Sequence, residues 1–284
     1  FSKAHSASYA VESYQSLYLK TYFPLEFMVA VINNFGGFYR TWVYVNEARR
    51  WGGNIRLPCV NNGDYKTSIR GKDIYLGFVH VQNLEARLAK SIQVERQRSG
   101  EFKSLADFIS RVPITTEQLI LLIRVEAFRF TGKSKKELLW QAHMLLMNNK
   151  KKIETRPLFP VTSREFKLPA LEQSKVENAY DEIELLGFPV TVDAFDMLET
   201  NFRGEIMASD MNKHVGKRVR MVGRLVTRKI VKTVKGEWML FGCFLDAKGE
   251  FFDSVNFPPS LKNFPFKGHG IYLLLGKTVE AFGF

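Results

Sequence analysis

The stretch "KHVGKRVRMVGRLVTRKIVKTVK", residues 213–235, holds nine lysines and arginines and no acidic residue. Its apolar and basic residues alternate with the period of two that belongs to a strand, whereas a helix would repeat near 3.6. If the strand stays regular, Arg218, Arg220, Arg224, Arg228 and Lys232 project from one face, while Val219, Met221 and Leu225 turn to a core. Gly223, Gly236, Gly242 and Gly249 punctuate the apolar runs, so residues from Val215 onward read as a small antiparallel β domain. Trp238, beside Gly236 and Glu237 near a turn, is the stacking candidate; Phe244 and Phe252 either join it or fill the core. A cationic face carrying an exposed ring is the pattern that tracks phosphates and stacks the bases of a single strand.

Before this stretch the period is helical. Tyr9, Tyr14, Leu17 and Tyr18 begin it, Pro24 restarts it, and Gly52-Gly53 ends a third helix after "GGFYRTWVYVNEARRW". Short strands and turns follow, marked by Pro58 and the Asn62-Gly63 pair. Residues 83–147 return to helices, with stripes at Leu84, Leu88 and Ile92, at Leu105, Phe108 and Ile109, and at Leu119, Leu122 and Ile123. Ser104 and Asp107 form a capping pair at the start of the second of these. Three prolines and the Lys150–Lys152 run then give a linker, and one more helix occupies roughly residues 172–186. Asp181, Glu182 and Glu184 on that helix read as a solvated face.

The chain has 284 residues and a net charge of +12, a balance that attracts polyanions, nucleic acid foremost. Arg129, Lys133, Lys135 and Lys136 make a second basic cluster, placed to grip a duplex backbone. No apolar run approaches 18 residues, so neither a membrane span nor a signal peptide is expected. Cys59 and Cys243 stand alone and read as free thiols in a reducing compartment, the cytoplasm. The five histidines form no ligand spacing, and no metal site is expected.

Several segments carry a family pattern in order. "FSKAHSASYAVESYQSLYLKTYFPLEFM" resembles F-x-K-x-H-x-x-x-Y, S-Y-x-x-x-x-L-K and P-x-E-F-M from the last fingers helices of the alpha subunit of bacterial DNA polymerase III, the C-family replicative polymerase. "EARRWGGNIRLPCVNNGDY", "GEFKSLADFISRV", "LLIRVEAFRFTGKSKKELL" and "YDEIELLGFPVT" are similar to successive later segments of that family, and the β domain falls where its OB-fold lies. The resemblance spans the chain.

It implies a multidomain α + β fold: the C-terminal part of a fingers domain over 1–75, a helix-hairpin-helix-like module over 76–148, a linker with one helix over 149–212 and an OB-like antiparallel barrel over 213–284, either complete or without its last strand. It implies a DNA-directed DNA polymerase as parent, using Mg²⁺ on palm carboxylates that precede Phe1; no catalytic residue falls within these residues, and alone they are expected to be inactive. Lys3 and His5 are implied to face the nucleotide. Leu158 and Phe159 of "TRPLF" stand where the family carries its sliding-clamp motif, with Thr155 in place of the glutamine. Partners implied are duplex DNA, single-stranded template, the clamp and other replication or repair subunits.

The departures matter too. The family's glycine hairpin, G-V-G-E, is replaced in "VHVQNLEARLAKSI" by a glycine-free stretch, where Glu85 opposes an anion. The G-H-P motif gives way to Val192-Asp193-Ala194, and the G-F-Y turn before "ARRWG" is closer to the error-prone branch. Two functions stay open: DNA positioning, favoured by the basic strand, or a protein-interaction platform, favoured by the lost glycines.

Overall fold

A computed structural model describes residues 2–149 and 174–280. The chain divides into two compact units, Phe1–Asn34 with Trp51–Val192, and Phe35–Arg50 with Asp193–Phe284. The fold is the expected α + β arrangement, a helical unit and a curled antiparallel sheet.

In the first unit, α1 (Lys3–Tyr22) is capped by Ser2, whose Oγ accepts the His5 amide at 3.3 Å. None of its residues is buried. Pro24 occupies the first turn of α2 (Pro24–Asn33), where its missing N–H costs nothing, and Met28, Val29 and Ile32 face inward. A small sheet follows, in which β3 (Asp73–Tyr75) lies between β1 (Asn54–Arg56), parallel, and β2 (Ser68–Arg70), antiparallel. The Asn33 amide fastens α2 to it, its Nδ2 donating to Thr67 O and its Oδ1 accepting Thr67 N–H, both at 2.7 Å.

The helical module holds α4 (Ala86–Ser99), α5 (Leu105–Arg111), α6 (Thr116–Arg124), α7 (Lys135–Asn149) and α8 (Lys175–Leu186). Phe108 sits at its centre, with the Phe102 and Phe128 rings each 4.9 Å away, edge to face. The Ser104 cap forms as expected, its Oγ accepting the Asp107 N–H at 3.1 Å. Glu184 is exposed, as the solvated reading expects, but Glu182 and Asp181 depart from it. Glu182 is buried and accepts bonds from the Val190 N–H, the Thr191 N–H and the Thr191 hydroxyl, because the turn after Gly187 folds over it. Asp181 accepts Arg124 Nε at 2.8 Å and Lys135 Nζ at 2.9 Å.

The second unit is built on a four-stranded antiparallel sheet, in spatial order β6 (Phe251–Asn256), β5 (Trp238–Leu245), β4 (Arg218–Lys232) and β7 (Ile271–Lys277). A short helix α9 (Pro258–Asn263) joins β6 to β7, and α3 (Thr41–Arg50) belongs to this unit. Val219, Met221, Leu225, Phe244 and Phe252 form the core of the curled sheet. A Cβ on Gly223 would meet Phe252 Cζ at 2.5 Å, so the strand reaches this packing only with glycine there.

Candidate nucleic-acid interface

β4 does not stay regular. Leu225 pairs with Phe244 and Thr227 with Cys243, which leaves Val226 as the extra residue of a β-bulge. A one-residue insertion exchanges the two faces of a strand. Before the bulge, Val219, Met221 and Leu225 point into the core and Arg218, Arg220 and Arg224 point outward. After it, Arg228, Ile230 and Lys232 share the inner face with their partners Gly242, Leu240 and Trp238. The single basic face expected from the even numbering is therefore split in two, and the strong bending of a barrel strand is the cause.

The two halves differ in what their cations already touch. The Arg220 N–H donates to Glu205 Oε2 at 2.8 Å and its Nε to Oε1 at 2.7 Å, bonds that hold the Glu205 carboxyl below its ordinary value. The Arg224 guanidinium lies 3.8 Å over the Trp42 ring. Burial lowers its pKa to about 10, against the attraction of Asp193 and with help from Arg40. These outer arginines are thus committed to packing or pairing, apart from Arg218 at the strand's start.

On the inner face an open groove of about 370 Å³ is lined by Arg228, Ile230, Trp238, Leu240, Leu261, Pro265 and Phe266. Trp238 is 57% exposed, an unusual position for so large a ring. Lys232 Nζ stands 4.8 Å over its centroid, and Arg228 Nη1 donates to Phe266 O at 3.5 Å. No carboxylate pairs with Arg228 or Lys232 among the described residues. Phe244 and Phe252 are core residues, stacked at 5.4 Å, and present no ring to a ligand. Phe266, which carries no motif, lines the groove instead, because the loop after α9 folds back across the sheet.

The basic cluster of the helical module is also partly consumed. Arg129 donates to Pro58 O at 2.8 Å and Leu57 O at 2.9 Å, and buried Lys135 donates to Asp181. Both serve carbonyl and carboxylate acceptors of their own fold, because a buried cation must be paired. Lys133 and Lys136 remain toward solvent, the latter 3.4 Å from Glu177.

The stretch before α4 turns without glycine. Asn83 adopts φ +62°, a left-handed conformation that asparagine tolerates better than most residues. Gln118 of α6 then braces the turn, its Oε1 accepting the Glu85 N–H at 2.8 Å and its Nε2 donating to Asn83 O at 2.9 Å. One amide at the mouth of the hairpin is therefore already engaged.

Lys3 and His5 are exposed in the first turn of α1, His5 packing edge to face on Tyr9 at 4.5 Å. Leu158 and Phe159 lie outside the described residues. Among the described residues no three histidines, cysteines or acids converge as metal ligands, and no helix is long and apolar enough to cross a membrane. The acids of the described residues do not gather as the Mg²⁺ of a polymerase centre would require.

A helix-hairpin-helix module together with a curled, basic antiparallel half-barrel defines the class of the chain. Comparison with known proteins is more particular. A family profile described as "Helix-hairpin-helix motif" matches residues 52–138. DNA polymerase III subunit alpha of Borreliella burgdorferi is 27% identical over all of the chain and 26% of its own length. That of Aquifex aeolicus is 26% identical over 91% of the chain and 22% of its own. An error-prone DNA polymerase of Mycobacterium tuberculosis is 33% identical over half of the chain and 13% of its own. The chain is a homologue of these polymerases, and spans about a quarter or less of their length.

Proposed function

We propose that the chain is a DNA-holding region of a polymerase of the polymerase III alpha type. Single-stranded template lies along the inner groove of the half-barrel, its bases against Trp238 and Phe266 and its phosphates against Arg228 and Lys232. The observation that carries this reading is the coincidence, on one face, of carboxylate-free cations with an exposed tryptophan. Base–aromatic stacking is worth roughly 1–3 kcal/mol per base and does not depend on sequence. Duplex would be met by Lys133 and Lys136, the nucleotide by Lys3 and His5, and the sliding clamp by Leu158 and Phe159. Polymerisation, with its Mg²⁺, belongs to carboxylates elsewhere in the parent polymerase, so these residues alone do not extend a primer. The setting is the cytoplasm.

Titration of the chain with single-stranded and duplex oligonucleotides over a range of salt tests this. Single strands should bind with a steep log–log salt slope, because condensed counterions are released. A shallow slope for both favours the second reading, a platform for replication or repair proteins. Two observations speak for that reading, the hairpin amide already engaged by Gln118 and the exposed Leu273 and Leu275 on β7.

A further inference from the structure

The second unit carries a cation cluster that the basic strand does not announce. Arg40, just before α3, donates Nη2 to His269 Nε2 at 2.8 Å, across 229 positions of chain. A guanidinium has only donors, so Nε2 carries no proton in this contact and the imidazole is neutral. His269 sits in the loop between α9 and β7, three residues after Phe266, whose carbonyl accepts Arg228 Nη1. Arg228 is at the same time a wall of the Trp238 groove.

Burial first, then Arg40 and Arg228, hold the His269 imidazole below its ordinary value. The charged and titratable groups around the ring are Arg40 from the segment before α3, Arg228 from β4, and Lys267 and Tyr272 flanking it on its own loop and strand. None of Arg40, Arg228 and His269 is paired with a carboxylate among the described residues. Asp193 lines a separate small cavity with Arg224 and Trp42. Cations gathered without a counter-charge repel one another, and an anion relieves that.

We propose that Arg40, His269 and Arg228 form a site for one phosphodiester of single-stranded DNA, at the end of the groove whose stacking wall is Trp238. The proposal rests on the single-strand reading of that groove. The phosphate takes the place of the Arg40–His269 contact and lies between the two guanidiniums. The freed His269 Nε2 takes a proton from solvent and donates it in a hydrogen bond to a phosphate oxygen. The ring's pKa thus starts depressed and rises on binding, so affinity is greatest below the free value and falls as pH climbs through the bound one.

The test is binding of a labelled oligothymidylate to the 284-residue chain from about pH 5.5 to about pH 8 at fixed ionic strength, a span that brackets histidine titration. Wild type should weaken with rising pH by up to about tenfold per unit, the limit for one linked proton. His269→Gln, which keeps a polar side chain, should bind with a flat profile. Arg40→Gln should lose about 0.7 from the log–log salt slope, one phosphate's worth for a single strand. Each variant is compared at a thermal melt matching wild type, and His269→Asn serves where His269→Gln melts early. A flat wild-type profile, or a His269 variant that keeps the wild-type pH slope, overturns the site while leaving the groove reading in place. Failure of the oligothymidylate to bind at any pH removes the groove reading itself, and the site with it.

Discussion

The bulge at Val226 makes a prediction that an unbroken basic strand would not. Two double variants separate the faces: Arg220→Ala with Arg224→Ala on the outside, and Arg228→Ala with Lys232→Ala in the groove. Each phosphate neutralised on a single strand contributes roughly 0.7 to the log–log salt slope. The inner pair should therefore lower that slope by about 1.4. Between about 50 and about 200 mM salt, wild type would then lose roughly sevenfold more affinity than the inner variant does. The outer pair should leave the slope nearly unchanged, because Arg220 already serves Glu205 and Arg224 already covers Trp42. Its effect should fall on stability, with the cation–π contact worth on the order of 0.5–2 kcal/mol. Fluorescence anisotropy of a labelled oligothymidylate reads the slope, and urea denaturation reads the stability. An outer pair that flattens the salt dependence while the inner pair leaves it intact would refute the assignment of faces.

Three further outcomes are expected. Asn83→Gly should be neutral or slightly stabilising in urea denaturation, whereas Asn83→Val should cost about 1–2 kcal/mol, since a β-branched residue at φ +62° is strained. Glu182→Ala should destabilise the helical unit by about 3 kcal/mol in the same assay, leaving two amides and a hydroxyl without their acceptor. Burial, then Asp253, push the Cys243 thiol up to about 12, so its alkylation by iodoacetamide at about pH 8, followed by mass spectrometry, should be much slower than that of an ordinary cysteine near 8.5.

Local signals carried much of the architecture. The helix stripes at Leu88, Leu105 and Leu119, the Ser104 cap and the change of period before Arg218 are each written within a few adjacent residues, and each has its element. What stayed hidden depends on residues far apart in the chain. The bulge arises where β4 passes from pairing with β7 to pairing with β5, and nothing local marks Val226. Arg129 and Lys135 look like surface charge until the carbonyls of Leu57 and Pro58 and the carboxylate of Asp181 are brought to them. The glycine-free stretch still turns, because Asn83 supplies the backbone angle and Gln118, thirty-five positions on, supplies the brace. Phe266 and His269 carried no motif, and their place in the candidate site comes from the fold of one loop.

Photocrosslinking of an oligothymidylate bearing 5-iodouracil, followed by peptide mapping, tests most directly whether the inner face of the half-barrel holds single-stranded DNA. The account expects crosslinks on the peptides carrying Trp238 and Phe266, competed by unlabelled single strands and reduced in Trp238→Ala. Crosslinks confined to residues 51–149, or a pattern indifferent to Trp238, would contradict it.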